Sequence, residues 1–353
     1  PLSVFRTSEQ DTTYHSERHT GQYYTLPAAH IQKLFPHGPP PRFQLQIKTF
    51  NEGCVMVRPP ALELISYLKK ADYSKPPLHY ILYGDVGTGK TMCLSHALHY
   101  CYTQGWLIVH IPDAHLWVKN CKELLPSSSR PSRFDQPIQA SQWLKNFKIT
   151  NERFLSKIKT TQQYVWTKRE RTEKGQPLGE LVDQGVNRMK SSSDVVGAVL
   201  RELRLQAGGA TEGKGAFKLA VAVDGVNALW GKTSLKKEDR TMCEPEELTL
   251  IHNMRKMMKN NWGSIYLHTF SFFLSFCLCL LPSVFQEGFD NMEPFVPVSV
   301  SNYNEKEFES CYLYYLDRNW LQHSHSRSEE GKKELIFLSN KNPSILERLC
   351  AFL

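Results

Sequence analysis

Across 353 residues the chain carries nine cysteines, yet it has no C-x-x-C pair and no Cys/His cluster at zinc-ligand spacing. Their absence excludes a recognisable zinc module, and an odd, scattered set points to free thiols in a reducing compartment. Cys277-x-Cys279 and His323-x-His325 are too isolated to make metal sites. No charged-then-apolar secretory leader opens the chain, which starts at Pro1 instead of Met. Removal of an organelle-targeting presequence, or a shortened chain, would give such a start. Negative charge is in short supply: 35 Asp and Glu face 43 Lys and Arg, a net +8. With 41% hydrophobic and 22% charged residues, the composition still excludes a disordered chain.

The basic surplus is local. Residues 145–174 hold nine Lys or Arg against Glu152, Glu170 and Glu173, a net +6. Such a segment is either a solvated helix face or a docking surface for RNA or an acidic protein. Trp143, Phe147, Phe154, Tyr164 and Trp166 interleave with the charges, which suits base stacking and equally an amphipathic helix packed on a core.

What the chain does have is a complete phosphate loop, Gly84-Asp85-Val86-Gly87-Thr88-Gly89-Lys90-Thr91. The apolar run over 78–83 predicts a buried strand before it, and helical spacing over 92–104 predicts a helix after it, ending at Gly105. In that context the glycines let backbone N–H groups converge on phosphate oxygens. Lys90 would reach the β and γ phosphates, and the Thr91 hydroxyl would sit on Mg²⁺. Downstream, 218–224 reads KLAVAVD, an apolar strand ending in a carboxylate. At the carboxyl end of a parallel strand, Asp224 can hold the same Mg²⁺, directly or through water. NTPases of this kind often carry Glu next, to orient the attacking water; here the position is Gly225. At most a weak NTPase is expected. Asp113 is a poor substitute, because its strand should lie away from the phosphates. Gly231-Lys232-Thr233 is a decoy, since its spacing is wrong and no strand leads into it.

Length and alternation of helices with apolar strands predict an α/β P-loop NTPase of AAA+-like type with a mainly parallel sheet. Residues 1–60, with Pro36, Pro39-Pro40-Pro41 and Pro59-Pro60, lack an apolar stripe and read as an extended N-terminal arm. The nucleotide-binding domain spans 61–300, opening with a helix over 61–70 and carrying a second strand over 106–111. A helical, basic insertion occupies about 113–215. Within it a loop covers 126–137, Asn151 caps a helix running toward Lys168, Pro177 starts another, and Asp194 caps a third. A flexible connector follows over 207–215. A last strand is expected over 294–300, and 301–353 forms a C-terminal helical lid.

Residues 260–286 contain no Asp, Glu, Lys or Arg. Length alone makes this tract a membrane-span candidate. Its serines, His268 and Pro282 weaken that reading, which leaves a buried strand with a flanking loop as the second. The third comes from the genetic code. Phe, Ser, Leu and Pro are what pyrimidine-only codons encode, and the Phe285-Gln286 ending matches a splice acceptor, so about 263–286 would be partly translated intron.

Four stretches, LYGDVGTGKTMCLSHALHYC at the loop, FDQPIQASQWLKNFKITNERFL from Phe134, LAVAVDGVNALWGKT from Leu219 and VSNYNEKEFESCYLYYLDRNWLQ from Val300, resemble the death-associated protein family of the mitochondrial ribosome's small subunit. The likeness covers nearly the whole chain except about 263–286, where that family has a less apolar strand and a basic loop. It implies a structural component binding GTP or GDP with Mg²⁺ in the small-subunit head. The implied partners are mitochondrial ribosomal proteins and ribosomal RNA, with contact to the large subunit at the intersubunit face. It further implies the mitochondrial matrix, no membrane, support of mitochondrial translation and a link to apoptosis. Guanine comes from the resemblance alone, because the only N-K element, Asn340-Lys341-Asn342, lacks the expected Asp and lies in the tail. The rival readings are an active AAA+-type remodelling ATPase and a nucleotide-dependent apoptotic switch.

Overall fold

The computed structural model describes residues 5–72, 78–207, 217–259, 265–271 and 290–351. Five strands, β1 His79–Gly84, β2 Leu107–Ile111, β3 Leu219–Val223, β4 Ile265–Ser271 and β5 Phe295–Ser299, form one parallel sheet. Their spatial order is β5-β1-β4-β3-β2. Side chains on β1, β2 and β3 divide between two cores with a period of two. Leu219, Val221 and Val223 of β3 face the core beneath helices α3 Pro137–Leu155, α4 Leu178–Asn187 and α5 Ser192–Gln206. Ala220 and Ala222 face the opposite core, beneath α1 Pro59–Lys70 and α2 Lys90–Thr103. Burial on both faces is why β2 and β3 read as apolar runs.

The edge of the sheet at β2 is covered by a residue whose role differs from expectation. Asn151 does not begin a helix; it lies inside α3 at a non-helical backbone position and is fully buried. Its Oδ1 accepts from Ile108 N at 2.8 Å and its Nδ2 donates to Ile108 O at 2.7 Å. One amide thereby satisfies the outward-facing donor and acceptor of an edge strand.

The N-terminal segment corrects the expectation of an extended arm. Its described residues fold into helices Ala28–Leu34 and Pro41–Phe50 and an antiparallel pair, Tyr23–Thr25 with Cys54–Met56. Its apolar residues arrive one or two per short element and enter cores shared with other parts of the chain. Tyr24, Leu34, Phe43 and Val57 join the core under α1 and α2, while Phe5, Tyr23 and Phe50 join a third core with C-terminal residues.

That third core is formed with α6 Glu305–Asp317, α7 Glu329–Ser339 and α8 Pro343–Cys350. α6 starts at Glu305 because Asn304 and Glu307 form a reciprocal capping box. The region read as helical from residue 301 onward thus carries α6, α7 and α8 among its described residues. In the basic segment, Trp143 and Phe147 are buried and stacked, and Trp143 Nε1 donates to His110 O. These aromatics thus serve packing, while Lys145, Lys157, Lys168 and Arg169 stay exposed.

Of the uncharged tract, residues 265–271 supply β4, inserted between β1 and β3. From residue 272 to 286 the strand-and-loop, membrane and translated-intron readings lie outside the described residues. No described helix is long and apolar enough to cross a membrane.

Candidate nucleotide-binding site

β1 ends at Gly84 and α2 begins at Lys90, so the motif forms the turn from a central strand into a helix N-terminus. Its three glycines take φ values of 145°, 85° and 96°. At Gly87 a Cβ would lie 2.6 Å from Asn342 Oδ1 and 2.8 Å from Ser344 Cβ, so no larger residue fits between the loop and α8. Asp85 and Val86 are exposed, whereas Thr88 is buried and bonds back to Asp85 O at 3.0 Å. Lys90 Nζ donates to Gly84 O at 2.8 Å and Asp85 O at 2.5 Å. Burial pulls its pKa below the ordinary lysine value, against the opposing pull of Asp224 and Asp85. The ammonium is therefore held at the loop's mouth by carbonyls that phosphate oxygens can replace.

Thr91 and Asp224, 133 residues apart, are joined by a bond of 2.6 Å from Thr91 Oγ1 to Asp224 Oδ2. Two hard oxygen donors side by side fit Mg²⁺, which takes few protein ligands and keeps several waters or phosphate oxygens. Gly225, next in sequence, has φ 69°, and a Cβ there would sit 3.0 Å from His115 Cδ2 and 3.1 Å from its Nε2. A glutamate at this position would be strained by the backbone and crowded by His115. Asp113 lies near by, with Oδ1 3.9 Å from that Cβ position, but the oxygen already accepts from His115 N at 2.9 Å. β4 and β3 separate its strand from β1. The decoy at 231–233 lies in a loop after the short turn Val226–Leu229, with the Thr233 hydroxyl donating to Cys243 O.

Sequence reasoning missed the residues that brace the loop. Arg58, buried, donates from Nη1 to Thr88 O at 2.6 Å, from Nε to Glu307 Oε1 at 2.9 Å and from Nη2 to Ser301 O at 3.0 Å. Asn342, which belongs to the tail's N-K element, donates from Nδ2 to Val86 O at 3.0 Å, and Ser344 N donates to Gly87 O at 3.1 Å. Asn342-Pro343-Ser344 does carry a helix-start signature, and Asn342 Oδ1 does cap α8. That signature gives the cap and nothing about the loop it touches.

Parallel strands alternating with crossover helices define a mixed α/β protein, and its phosphate-loop motif forms the turn that follows an interior strand. Sequence comparison narrows this. The profile of the mitochondrial ribosomal death-associated protein 3 family matches residues 55–270 and 282–349, and the chain belongs to that family. It is 57% identical over 359 residues to the small ribosomal subunit protein mS29 of Mus musculus, spanning 100% of this chain and 90% of that one. To the protein of the same name from Bos taurus it is 56% identical, covering 99% and 89%. The Walker-type ATPase PABY2304 of Pyrococcus abyssi overlays with a TM-score of 0.42 at 12% identity, over 83% of this chain and 65% of that one, too loosely to carry weight. The family match passes over residues 271–281, inside the uncharged tract.

Proposed function

We propose that this chain is a component of the mitochondrial small ribosomal subunit that holds a Mg²⁺-bound guanine nucleotide, GTP or GDP, as a structural ligand. It hydrolyses that ligand slowly or not at all and supports mitochondrial translation in the matrix, alongside ribosomal proteins and ribosomal RNA of the small subunit. The observation that carries the ligand is the Thr91–Asp224 bond beneath a loop whose lysine faces its mouth. The mouse and bovine relatives carry the ribosomal part. In this reading the fold is of AAA+ type, α6 to α8 act as the lid, and Arg58 and Asn342 pin it to the loop. Mg²⁺, when bound, would neutralise phosphate charge between Thr91 and Asp224, while Lys90 compensates the β and γ phosphates. Gly225 offers no group to position water, which favours retention over turnover.

Purified protein should release a guanine nucleotide on denaturation. Lys90→Ala is expected to remove it, since no other loop side chain supplies a cation to the phosphates. A ligand at a hundred times its dissociation constant stabilises by about 2.7 kcal/mol, so the variant should also melt earlier. Unchanged nucleotide content and melting temperature would refute the site. Single-turnover hydrolysis should lie at or below roughly 10⁻⁴ to 10⁻² per second. A rate near one per second that disappears on changing Asp224 would favour the remodelling ATPase. Failure to co-sediment with small subunits would remove the ribosomal reading.

The exposed basic hairpin Tyr164–Val165 with Arg171–Thr172 is the place to test RNA contact. Neutralising Lys168, Arg169 and Arg171 together should weaken binding to small-subunit RNA. It should also flatten the salt dependence by up to about 0.9 log unit for each duplex phosphate that is no longer neutralised. Weaker binding with an unchanged salt slope would identify a protein partner instead.

A further inference from the structure

A cavity of about 330 Å³ opens directly from the phosphate loop, lined by Gly87, Lys90 and Thr91 at one end and by Glu347 of α8 at the other. Phe43, Val55, Met92 and Tyr315 supply flat or apolar wall between them, as a slot for a planar base requires. Ser344 N is bonded to Gly87 O, so α8 is anchored at the loop, and Glu347 stands one helical turn further on, on the same cavity-lining face.

Glu347 is 4% exposed, and among the described residues neither carboxylate oxygen has a hydrogen-bond partner. Arg42 Nε stands 3.5 Å from Oε2, beyond ordinary hydrogen-bond length, on a side chain that is half exposed. A buried acceptor pair left unmatched is costly and calls for donors from elsewhere. Burial pushes the carboxyl above its ordinary range, with Arg42 and Arg348 opposing. Donors delivered to both oxygens would restore the ionised form.

We propose that Glu347 reads the base of the bound nucleotide, its two carboxylate oxygens accepting from N1–H and the exocyclic N2–H of guanine. Among the common bases only guanine presents two adjacent donors on one edge. Adenine and cytosine set a ring acceptor beside the amino group, and uracil flanks its single N–H with two carbonyls. This assignment rests on the proposed nucleotide site and gives its base preference a residue.

The test is competition binding on the purified full chain with GTP, ATP, inosine triphosphate and xanthosine triphosphate. Wild-type protein should prefer GTP, with inosine triphosphate, which lacks the exocyclic amine, about tenfold weaker. Glu347→Gln should weaken GTP by roughly a hundredfold. It should gain xanthosine triphosphate, because the amide N–H then meets the C2 carbonyl while the amide oxygen keeps N1–H. The assignment is overturned if Glu347→Gln retains the wild-type GTP preference, or weakens all four nucleotides equally with the fold intact. If that variant fails to fold, the wild-type comparison decides: equal binding of GTP and ATP, or of GTP and inosine triphosphate, overturns the assignment. Wild-type protein that binds none of the four refutes the nucleotide site itself, which is a separate outcome.

Discussion

Replacing Arg58 by methionine is expected to destabilise the folded chain by about 3–5 kcal/mol, the usual cost of stripping one partner from a buried ion pair. The methionine keeps the volume but leaves Glu307, 2% exposed, without its counter-charge. It also takes the donor from the Thr88 and Ser301 carbonyls. Arg58 in addition lies over the Tyr303 ring at 4.9 Å, an interaction the methionine keeps only in part. The melting temperature should fall by roughly 4–7 °C. Nucleotide affinity should fall with it, because Thr88 O is the point at which Arg58 steadies the loop. Adding Glu307→Gln to Arg58→Met removes the stranded charge while the amide can still accept from Asn304 N. The double variant should therefore recover much of the stability, since neutralising both partners costs less than isolating one. Wild-type stability in Arg58→Met, or effects that simply add in the double variant, would overturn this account of the pair.

The same bonds show why part of the site is legible in the sequence and part is not. A phosphate loop is local chemistry: eight consecutive residues, a strand before and a helix after, each with its own periodicity. Asp224 is legible for the same reason, standing directly after a five-residue buried strand. Arg58 and Glu307 are 249 residues apart, and Asn342 and Val86 are 256 apart. No local pattern links them, and a lone arginine before two prolines looks like a surface residue until the fold buries it. The N-terminal segment escapes sequence reasoning for a related reason. Periodicity needs a window of at least about eleven residues, and helices of seven and ten residues between single buried aromatics do not fill one. Asn151 reads as a cap because asparagine competes with helical hydrogen bonds. The competition is real, but its beneficiary is the edge strand. Gly225 shows the reverse case, an absence that the sequence reports and the fold explains through a positive φ and His115.

Acidification from pH 7.5 to 5 should loosen the N-terminal segment from α2, because that interface is built on uncharged histidines. His96 and His99 of α2 are 0% and 1% exposed. His15 Nδ1 lies 2.9 Å from His96 Nε2, His30 Nδ1 lies 2.9 Å from His99 Nε2, and Tyr24 OH lies 3.3 Å from His99 Nδ1. Burial, reinforced by neighbouring histidines, holds His96 well below its ordinary value and brings His99 down to about 3. A histidine depressed in the folded state contributes fully above its unfolded pKa of 6.5, and the contribution fades as pH falls toward the folded value. For His99 that decline amounts to about 2 kcal/mol at pH 5, with His96 acting in the same direction. Urea denaturation at pH 7.5, 6 and 5 should show it. His99→Gln retains hydrogen-bonding capacity without titrating, so it should be less stable at pH 7.5 yet show a decline smaller by about 2 kcal/mol. Asp135 and Glu347, both raised by burial, titrate with the opposite sign, but they are common to both proteins and cancel in the comparison. Parallel pH profiles for wild type and His99→Gln would show that the histidine interface is not what acid disrupts. A flatter profile, with any bound nucleotide released in step with the wild-type decline, would tie α2 to the segment packed against it.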